Sequence, residues 1–343
     1  TAAGVQLLYA WLKGGRQSVF FAFAGEEGMA SGDAGEGRGA IISARDLGKE
    51  FHGMWALKGV DLSLEKGETL GVIGPNGAGK TTIVRVLTGQ ISPSRGEIYC
   101  EGEAVDPARM GFRMRIGLVP QEAYFYGRLT ARENLALLAR LYGLPGDRIA
   151  ARTDELLEWA GLLEHARRQV RFFSRGMQQR LSLAMGLVHQ PEIIFLDEPT
   201  TGLDPEARSA VWELILRLQE EGKTVFITTH NMEEADHICT RLAILVRGEI
   251  REQGTPQHIK SLLGTDRVEL RLSEESEGEL EKVCASLGIY WKKKGEAFVL
   301  TGPDLPEKLP AIISHLAVGL RDMHYREVTL EDAFLRFMRE VEG

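Results

Sequence analysis

Cysteine is scarce, long apolar runs are missing and the charge balance is not basic; each absence removes a class of protein. The three cysteines in 343 residues, Cys100, Cys239 and Cys284, are odd in number, far apart and outside any ligand spacing. Neither a disulfide framework nor a structural zinc site is expected, and a reducing cytosol suits the chain. No stretch free of Asp, Glu, Lys and Arg exceeds 12 residues, well short of the ~20 apolar residues that a helix needs to cross a bilayer. The chain is therefore not expected to span a membrane by itself. With Lys+Arg 41 against Asp+Glu 49 the net charge is -8, which argues against nucleic-acid affinity driven by whole-chain charge. Internal repeats and long low-complexity tracts are also missing, so collagen and coiled coil are excluded.

What is present points to about two domains, at roughly 150 residues each. The 39 glycines exceed the usual share of about 7% and direct attention to turns and phosphate loops. Residues 1–40 are expected to be a disordered or non-native extension. Lys13 and Arg16 precede the short apolar run 19–24, a weak likeness to a secretory signal, but Gly25, Glu26 and Glu27 stand where small cleavage-site residues belong. Met29 is the expected native start, followed by Gly, Ser, Asp and Glu that bury too little to order.

From Ile41 the texture becomes that of an α/β domain: IISARDL, GVDLSLE and TLGVIG predict strands, followed by a glycine-rich loop and a helix carrying Ile83, Val84, Val86 and Leu87. Residues 129–190 are expected to be mostly helical, with Leu135, Leu138 and Leu141 on one face and Leu156, Leu157, Ala160 and Leu163 on another. The continuous apolar runs IIFLDE and TVFITT, flanking a helix at 211–218, predict parallel strands buried on both faces. After about Gly264 the order is βαββαβ with a closing helix at 330–339, the split arrangement of ferredoxin-like domains.

Residues 74–82 read GPNGAGKTT, the full G-x-x-x-x-G-K-[ST] pattern, after a strand and before a helix. Gly74, Pro75, Asn76, Gly77, Ala78, Gly79, Lys80, Thr81 and Thr82 are expected to wrap nucleotide phosphates, with backbone N–H groups and a helix N-terminus facing the anion. Lys80 reaches the β and γ phosphates, and the Thr81 hydroxyl suits Mg²⁺, a hard cation that keeps most of its waters. A turn that merely reverses the chain would not need Lys-Thr at that offset. Downstream, Asp197 and Glu198 end a buried strand, Asp197 placed to hold the metal and Glu198 to polarise the water that attacks the γ phosphate.

These motifs, with several more in the same order, resemble the ATP-binding-cassette ATPases over nearly all of residues 41–262. The resemblance implies a P-loop NTPase α/β fold over 41–263, with a mixed sheet and a helical subdomain at about 123–190, then a small α+β ferredoxin-like accessory domain over 264–343. It implies further site residues. Phe51 resembles the aromatic that stacks on adenine, Gln121 the Q-loop glutamine that touches metal or attacking water, and His230 the switch histidine near the γ phosphate. FSRGMQQRLSLA, residues 173–184, resembles the signature loop and helix but carries Arg175 and Met177 where the family has Gly and Gln. Ser174 and Gly176, which in the family face a γ phosphate, are retained, and TTGLDP with Asp204 resembles the D-loop.

The resemblance also implies partners. A signature loop completes the site of the opposite subunit, so a second cassette is expected, as homodimer or heterodimer, with two ATP molecules and Mg²⁺ held between the subunits. Integral membrane permease subunits are expected to dock beside the Q-loop, where Tyr124, Phe125 and Tyr126 follow Gln121, which would place the chain on the cytoplasmic face of a membrane. The C-terminal texture is similar to cassettes of drug, antibiotic, sodium and polysaccharide or lipid exporters. The competing reading is a soluble cassette ATPase acting on nucleic acid or ribosomes; those relatives carry inserted coiled coils or two cassettes, and neither is seen, so no nucleic acid is expected.

Overall fold

The computed structural model describes residues 39–262, 267–273, 276–302, 305–316, 319–326 and 328–342. The expectations for residues 1–38 lie outside the described residues. Contacts group the chain into two units that divide between Gln253 and Gly254.

The first unit runs β1 (Ala40–Phe51), β2 (Met54–Glu65), β3 (Thr69–Ile73), α1 (Lys80–Leu87), β4 (Arg95–Cys100), β5 (Glu103–Ala104), α2 (Met110–Arg113), β6 (Ile116–Val119) and α3 (Ala131–Leu141). It continues through α4 (Gly146–Trp159), α5 (Arg175–Gly186), β7 (Ile193–Asp197), α6 (Pro205–Glu220), β8 (Thr224–Thr229), α7 (Met232–Ile238), β9 (Arg241–Val246) and β10 (Glu249–Gly254). The second unit holds α8 (Pro256–Ser261), β11 (Arg267–Leu272), α9 (Glu277–Leu287), β12 (Tyr290–Lys294), β13 (Ala297–Thr301), α10 (Leu305–Leu316), β14 (Leu320–Arg326) and α11 (Leu330–Glu342).

Two sheets build the first unit. One is antiparallel, in the order β2-β1-β4-β5; the other has the order β10-β9-β3-β8-β7-β6, with β9, β3, β8, β7 and β6 parallel to one another. Every residue of β3, β7 and β8 is buried, as required of parallel strands covered on both faces. Side chains of α1, among them Ile83, Val86 and Leu87, share one core with Ile42, Ala44 and Leu62 of the antiparallel sheet and with Phe195 and Phe226 of the parallel one.

Local chemistry sets the helical segment. Thr130 and Glu133 form a reciprocal capping box that starts α3, the Glu133 N–H donating to Thr130 Oγ1 at 3.2 Å and the Thr130 N–H to Glu133 Oε2 at 2.7 Å. Ala131, Leu135 and Ala139 make its buried stripe. Leu163 departs from the expected apolar face: α4 stops at Trp159 and Gly161 turns the chain at φ +64, so Leu163 lies in a short 3-10 turn and is 42% exposed. Against the parallel sheet, α5 comes so near β6 that a Cβ on Gly117 would lie 2.4 Å from the Gly186 carbonyl oxygen.

The second unit's sheet has the order β12-β13-β11-β14, antiparallel throughout, which is the strand order of a ferredoxin-like βαββαβ fold. Residues alternate along β11, Val268, Leu270 and Leu272 inward and Arg267, Glu269 and Arg271 exposed. The inward set packs with Phe298, Leu300, Leu280, Cys284, Ile312 and Leu316 in a separate core. No helix among the described residues is long and apolar enough to cross a membrane.

Candidate nucleotide site

Strand register assembles the site. Ile73 pairs with Thr229, Thr228 with Asp197 and Leu196 with Val119, so the carboxyl ends of β3, β8, β7 and β6 lie side by side. In open α/β sheets that edge is where ligands bind. It gathers the loop after Ile73, Gln121 after β6, Glu198 after β7 and His230 after β8.

The loop 74–79 is shaped by glycine where a side chain would not fit. Gly79 has φ +112, and a Cβ there would meet the Ala56 carbonyl oxygen at 2.6 Å; at Gly74 it would meet the Leu245 carbonyl oxygen at 2.3 Å. Gly77 also has a positive φ, +80, but a Cβ there would meet nothing, so the loop is open to solvent at its tip, where Asn76 is exposed too. Ala78 is pinned beneath, its N–H donating to Pro75 O at 3.2 Å and its carbonyl accepting from Gly248 N at 2.9 Å. Thr81 and Thr82 are half-buried in the first turn of α1.

Lys80 is 4% exposed and points back across the loop. Its Nζ donates to Gly74 O at 2.8 Å and Pro75 O at 3.1 Å and lies 3.1 Å from Glu198 Oε1. Glu198 is the hub. Its Oε2 accepts from Thr201 Oγ1 at 3.0 Å, from His230 Nδ1 at 3.1 Å and, at 3.4 Å, from Gln121 Nε2. Its backbone takes a left-handed φ of +49, a conformation that costs a non-glycine residue about 1–3 kcal/mol and persists only where the surroundings enforce it. Here the Glu198 N–H is held by Thr228 O at 3.0 Å and by Thr228 Oγ1 at 3.2 Å.

The neighbouring acids are tuned apart. Burial raises the Asp197 carboxyl above its ordinary range, against the pull of its hydrogen bonds from Thr228 Oγ1 at 2.6 Å and Thr81 Oγ1 at 3.4 Å. Burial works in the same sense on Glu198, but the Lys80 ammonium, the Thr201 hydroxyl and His230 outweigh it and hold that carboxyl below its ordinary range. Glu198 is therefore a charged acceptor at neutral pH. Thr81 and Asp197 form an oxygen pair that fits Mg²⁺, which takes one or two protein oxygens and fills the rest with water and phosphate. No cluster of three or more His, Cys, Asp or Glu side chains suited to a metal occurs among the described residues.

Other expected residues stand elsewhere. Phe51 ends β1 with its ring 41% exposed, beside the β2 segment whose Ala56 abuts Gly79. Ser174 caps α5 by accepting from Met177 N at 3.2 Å, and Asp204 caps α6 by accepting from Ala207 N at 2.8 Å. A Cβ on Gly176 would lie 2.7 Å from the Ala207 Cβ, so these two helix starts touch. No hydrogen bond or ion pair among the described residues joins Ser174, Gly176 or Asp204 to Lys80, Thr81, Asp197 or Glu198. Sequence reasoning missed Thr201 and Thr228, which hold Glu198 and Asp197, and the seat of Arg175, whose guanidinium covers Gly202. The consecutive threonines in PTTG and ITTH, each beside a strand end, were the available signal.

The sequence profile of the ABC transporter family matches residues 57–201, the stretch from β2 through the phosphate loop to Glu198. The chain is 39% identical over 293 residues to the daunorubicin resistance ATP-binding protein DrrA3 of Streptomyces coeruleorubidus, covering 84% of this chain and 92% of that one. It is 37% identical over 308 residues to the Nod factor export ATP-binding protein I of Ralstonia nicotianae, covering 88% and 95%. Among solved structures it is similar to cbiO1 of Clostridium perfringens, part of an ABC transporter complex, with a TM-score of 0.60, 28% identity and coverage of 73% and 96%. It is likewise similar to the cassette MJ0796, solved as a dimer bound to ADP and Pi, with a TM-score of 0.57, 29% identity and coverage of 63% and 98%. A phosphate loop facing a lysine-bound glutamate, in a chain that aligns with a drug-resistance and a Nod factor export ATP-binding protein over nearly their whole length, makes this protein a member of the ABC transporter family, as an exporter-type ATP-binding subunit.

Proposed function

We propose that this subunit hydrolyses ATP with Mg²⁺ between two paired cassettes and so drives export through separately encoded membrane permease subunits, working at the cytoplasmic face of the membrane. The observation that carries the reading is the convergence of Lys80, His230, Gln121 and Thr201 on the one carboxylate of Glu198. Thr81 and Asp197 would hold Mg²⁺, which would supply neutralisation of the charge that develops on the transferred phosphoryl group. Lys80, anchored on the carbonyls of Gly74 and Pro75, orients the γ phosphate. Glu198, kept ionised, accepts a proton from the attacking water as the new P–O bond forms and the bond to the β phosphate oxygen breaks. Gln121 and His230 fix the rotamer of Glu198, and Phe51 offers a face for adenine.

Pairing is supported by the separation of Ser174 and Gly176 from the phosphate loop's hydrogen-bond network and by the dimeric state of MJ0796. Daunorubicin resistance and Nod factor export name the relatives' cargoes; the cargo here is chosen by the permease. The deciding experiment is affinity purification of the tagged chain from native membranes, with Mg-ATPase assayed on the eluate. Recovery of an integral membrane protein with nucleotide turnover is the expected result; exclusive recovery of ribosomes or DNA would overturn the transport reading.

A further inference from the structure

Glu234 lies in the first turn of α7 and is completely buried, at 0% exposure. Its Oε1 accepts two hydrogen bonds, from Thr200 Oγ1 at 2.7 Å and from Trp212 Nε1 on α6 at 3.2 Å. Its Oε2 is buried with no hydrogen-bond partner. Burial pushes the carboxyl above its ordinary range, against the opposing pull of the Thr200 hydroxyl and the Trp212 indole. The two donors on Oε1 tie the carboxyl to the loop after Glu198 and to α6 at once.

Its contacts bridge to the two strand ends that make the catalytic pair. Thr200 stands two residues after Glu198, and α7, which carries Glu234, begins two residues after His230 at the end of β8. Glu198 sits at a left-handed φ, which the loop behind it must enforce, and its Oε2 must stay 3.1 Å from His230 Nδ1. The geometry points to Glu234 as a positioning residue that pins the loop following Glu198 to the end of β8 and so sets the Glu198–His230 pair. This rests on the role proposed for Glu198. Glu234 touches no part of the phosphate loop, so its loss acts on the chemical step and leaves nucleotide affinity alone.

The test compares steady-state Mg-ATPase of the full-length chain and its variants, read as kcat and KM separately. Glu234→Gln keeps both acceptor bonds on the carbonyl oxygen in a side chain of the same shape; its kcat should stay within about threefold of native. Glu234→Ala and Thr200→Val should each lower kcat by about tenfold or more with KM for ATP changed less than threefold, as misplacement of a reacting group by about 1 Å costs up to 100-fold. The double variant should be no slower than Glu234→Ala, because both remove one link. Native kcat in Thr200→Val, or a rise in KM parallel to the fall in kcat, overturns the assignment, and the Thr200 variant decides alone if Glu234→Ala does not fold. Glu198→Gln separates the two layers: if that variant turns over normally the role of Glu198 fails, whereas if it is inactive while Thr200→Val is native only the role of Glu234 fails.

Discussion

The two units use their sheets differently: the first combines an antiparallel sheet with a largely parallel one, and the second has an antiparallel sheet alone. In the first, β3, β7 and β8 are parallel and buried on both faces, so their side chains serve packing and the polar chemistry is forced out to the strand ends. There the carboxyl edge collects Lys80, Asp197, Glu198 and His230. In the second, β11–β14 are antiparallel, and the central strands β11 and β13 alternate, with Val268, Leu270, Phe298 and Leu300 inward, while every residue of the edge strand β12 is exposed. Its polar groups are spread over a surface instead of converging on a point. Among the described residues of that unit no buried ion pair occurs comparable to Lys80 with Glu198, 4% and 8% exposed. Concentrated buried charge is expensive, and a strained Glu198 backbone adds to the cost.

This contrast can be broken by substitution, and the largest effect belongs to the strand edge. Glu198→Gln should keep ATP binding and lower the hydrolysis rate by at least about 100-fold, the usual contribution of a positioned base, as checked by single-turnover release of phosphate beside a nucleotide-binding titration. Unchanged turnover would return the charged hub to a structural role. Next in size is the second core. Phe298→Ala, at a ring 2% exposed, should cost about 3–5 kcal/mol, read as loss of hydrogen-exchange protection in β11 and β13, while nucleotide binding by the first unit persists. Loss of both together would show that the units fold as one.

A smaller effect sharpens how the first unit handles buried titratable groups outside the site. His189 stacks on Tyr142 at 3.9 Å, its Nε2 lies 2.8 Å from Ile116 O, and its Nδ1 is buried without a partner. Burial drives its pKa down from 6.5 to about 4. The folded state thus refuses a proton that the unfolded chain accepts, so its contribution to stability is full above pH 6.5 and is lost as pH falls through the interval to about 4. The loss amounts to at most about 3 kcal/mol at 1.36 kcal/mol per unit. Urea melts from pH 7 to 4 should show that acid limb in the native chain and a shallower one in His189→Gln. The smallest effect is expected on the open face of the second sheet, where Lys292→Glu should change stability by no more than about 0.5 kcal/mol; a larger change would mean that this face is covered.

Much of the site was legible because its spacing is dictated by chemistry. GKTT after an apolar strand marks a phosphate loop, and an Asp-Glu pair ending another fully apolar run marks the acid end of the same edge. Helix starts were harder to read: the helix expected at 211–218 begins at Pro205, where Asp204 caps it through its own side chain. The fate of Leu163 was less legible: the helical period continued past Trp159, but Gly161 ended the helix by a backbone turn that periodicity does not register. Thr201, Thr228 and Glu234 were missed for a different reason. A threonine or a glutamate has no distinctive local pattern, and each acquires its task from a partner 3 to 34 residues away in the chain.

The amino-acid order by itself determined the phosphate loop, the acid pair, the alternation of helices and strands and the change of texture near the start of the second unit, because each is a short-range pattern with a local physical cause. Only the tertiary structure decided which side chains share a charge. That Glu198 meets Lys80, 118 positions before it, and a histidine 32 positions after it follows from the register of parallel strands, and that the Glu234 carboxyl is pushed above its ordinary range follows from the packing that strips it of water. Hydrogen bonding and desolvation are properties of a place in space, and the chain has such places only once the sheet has formed.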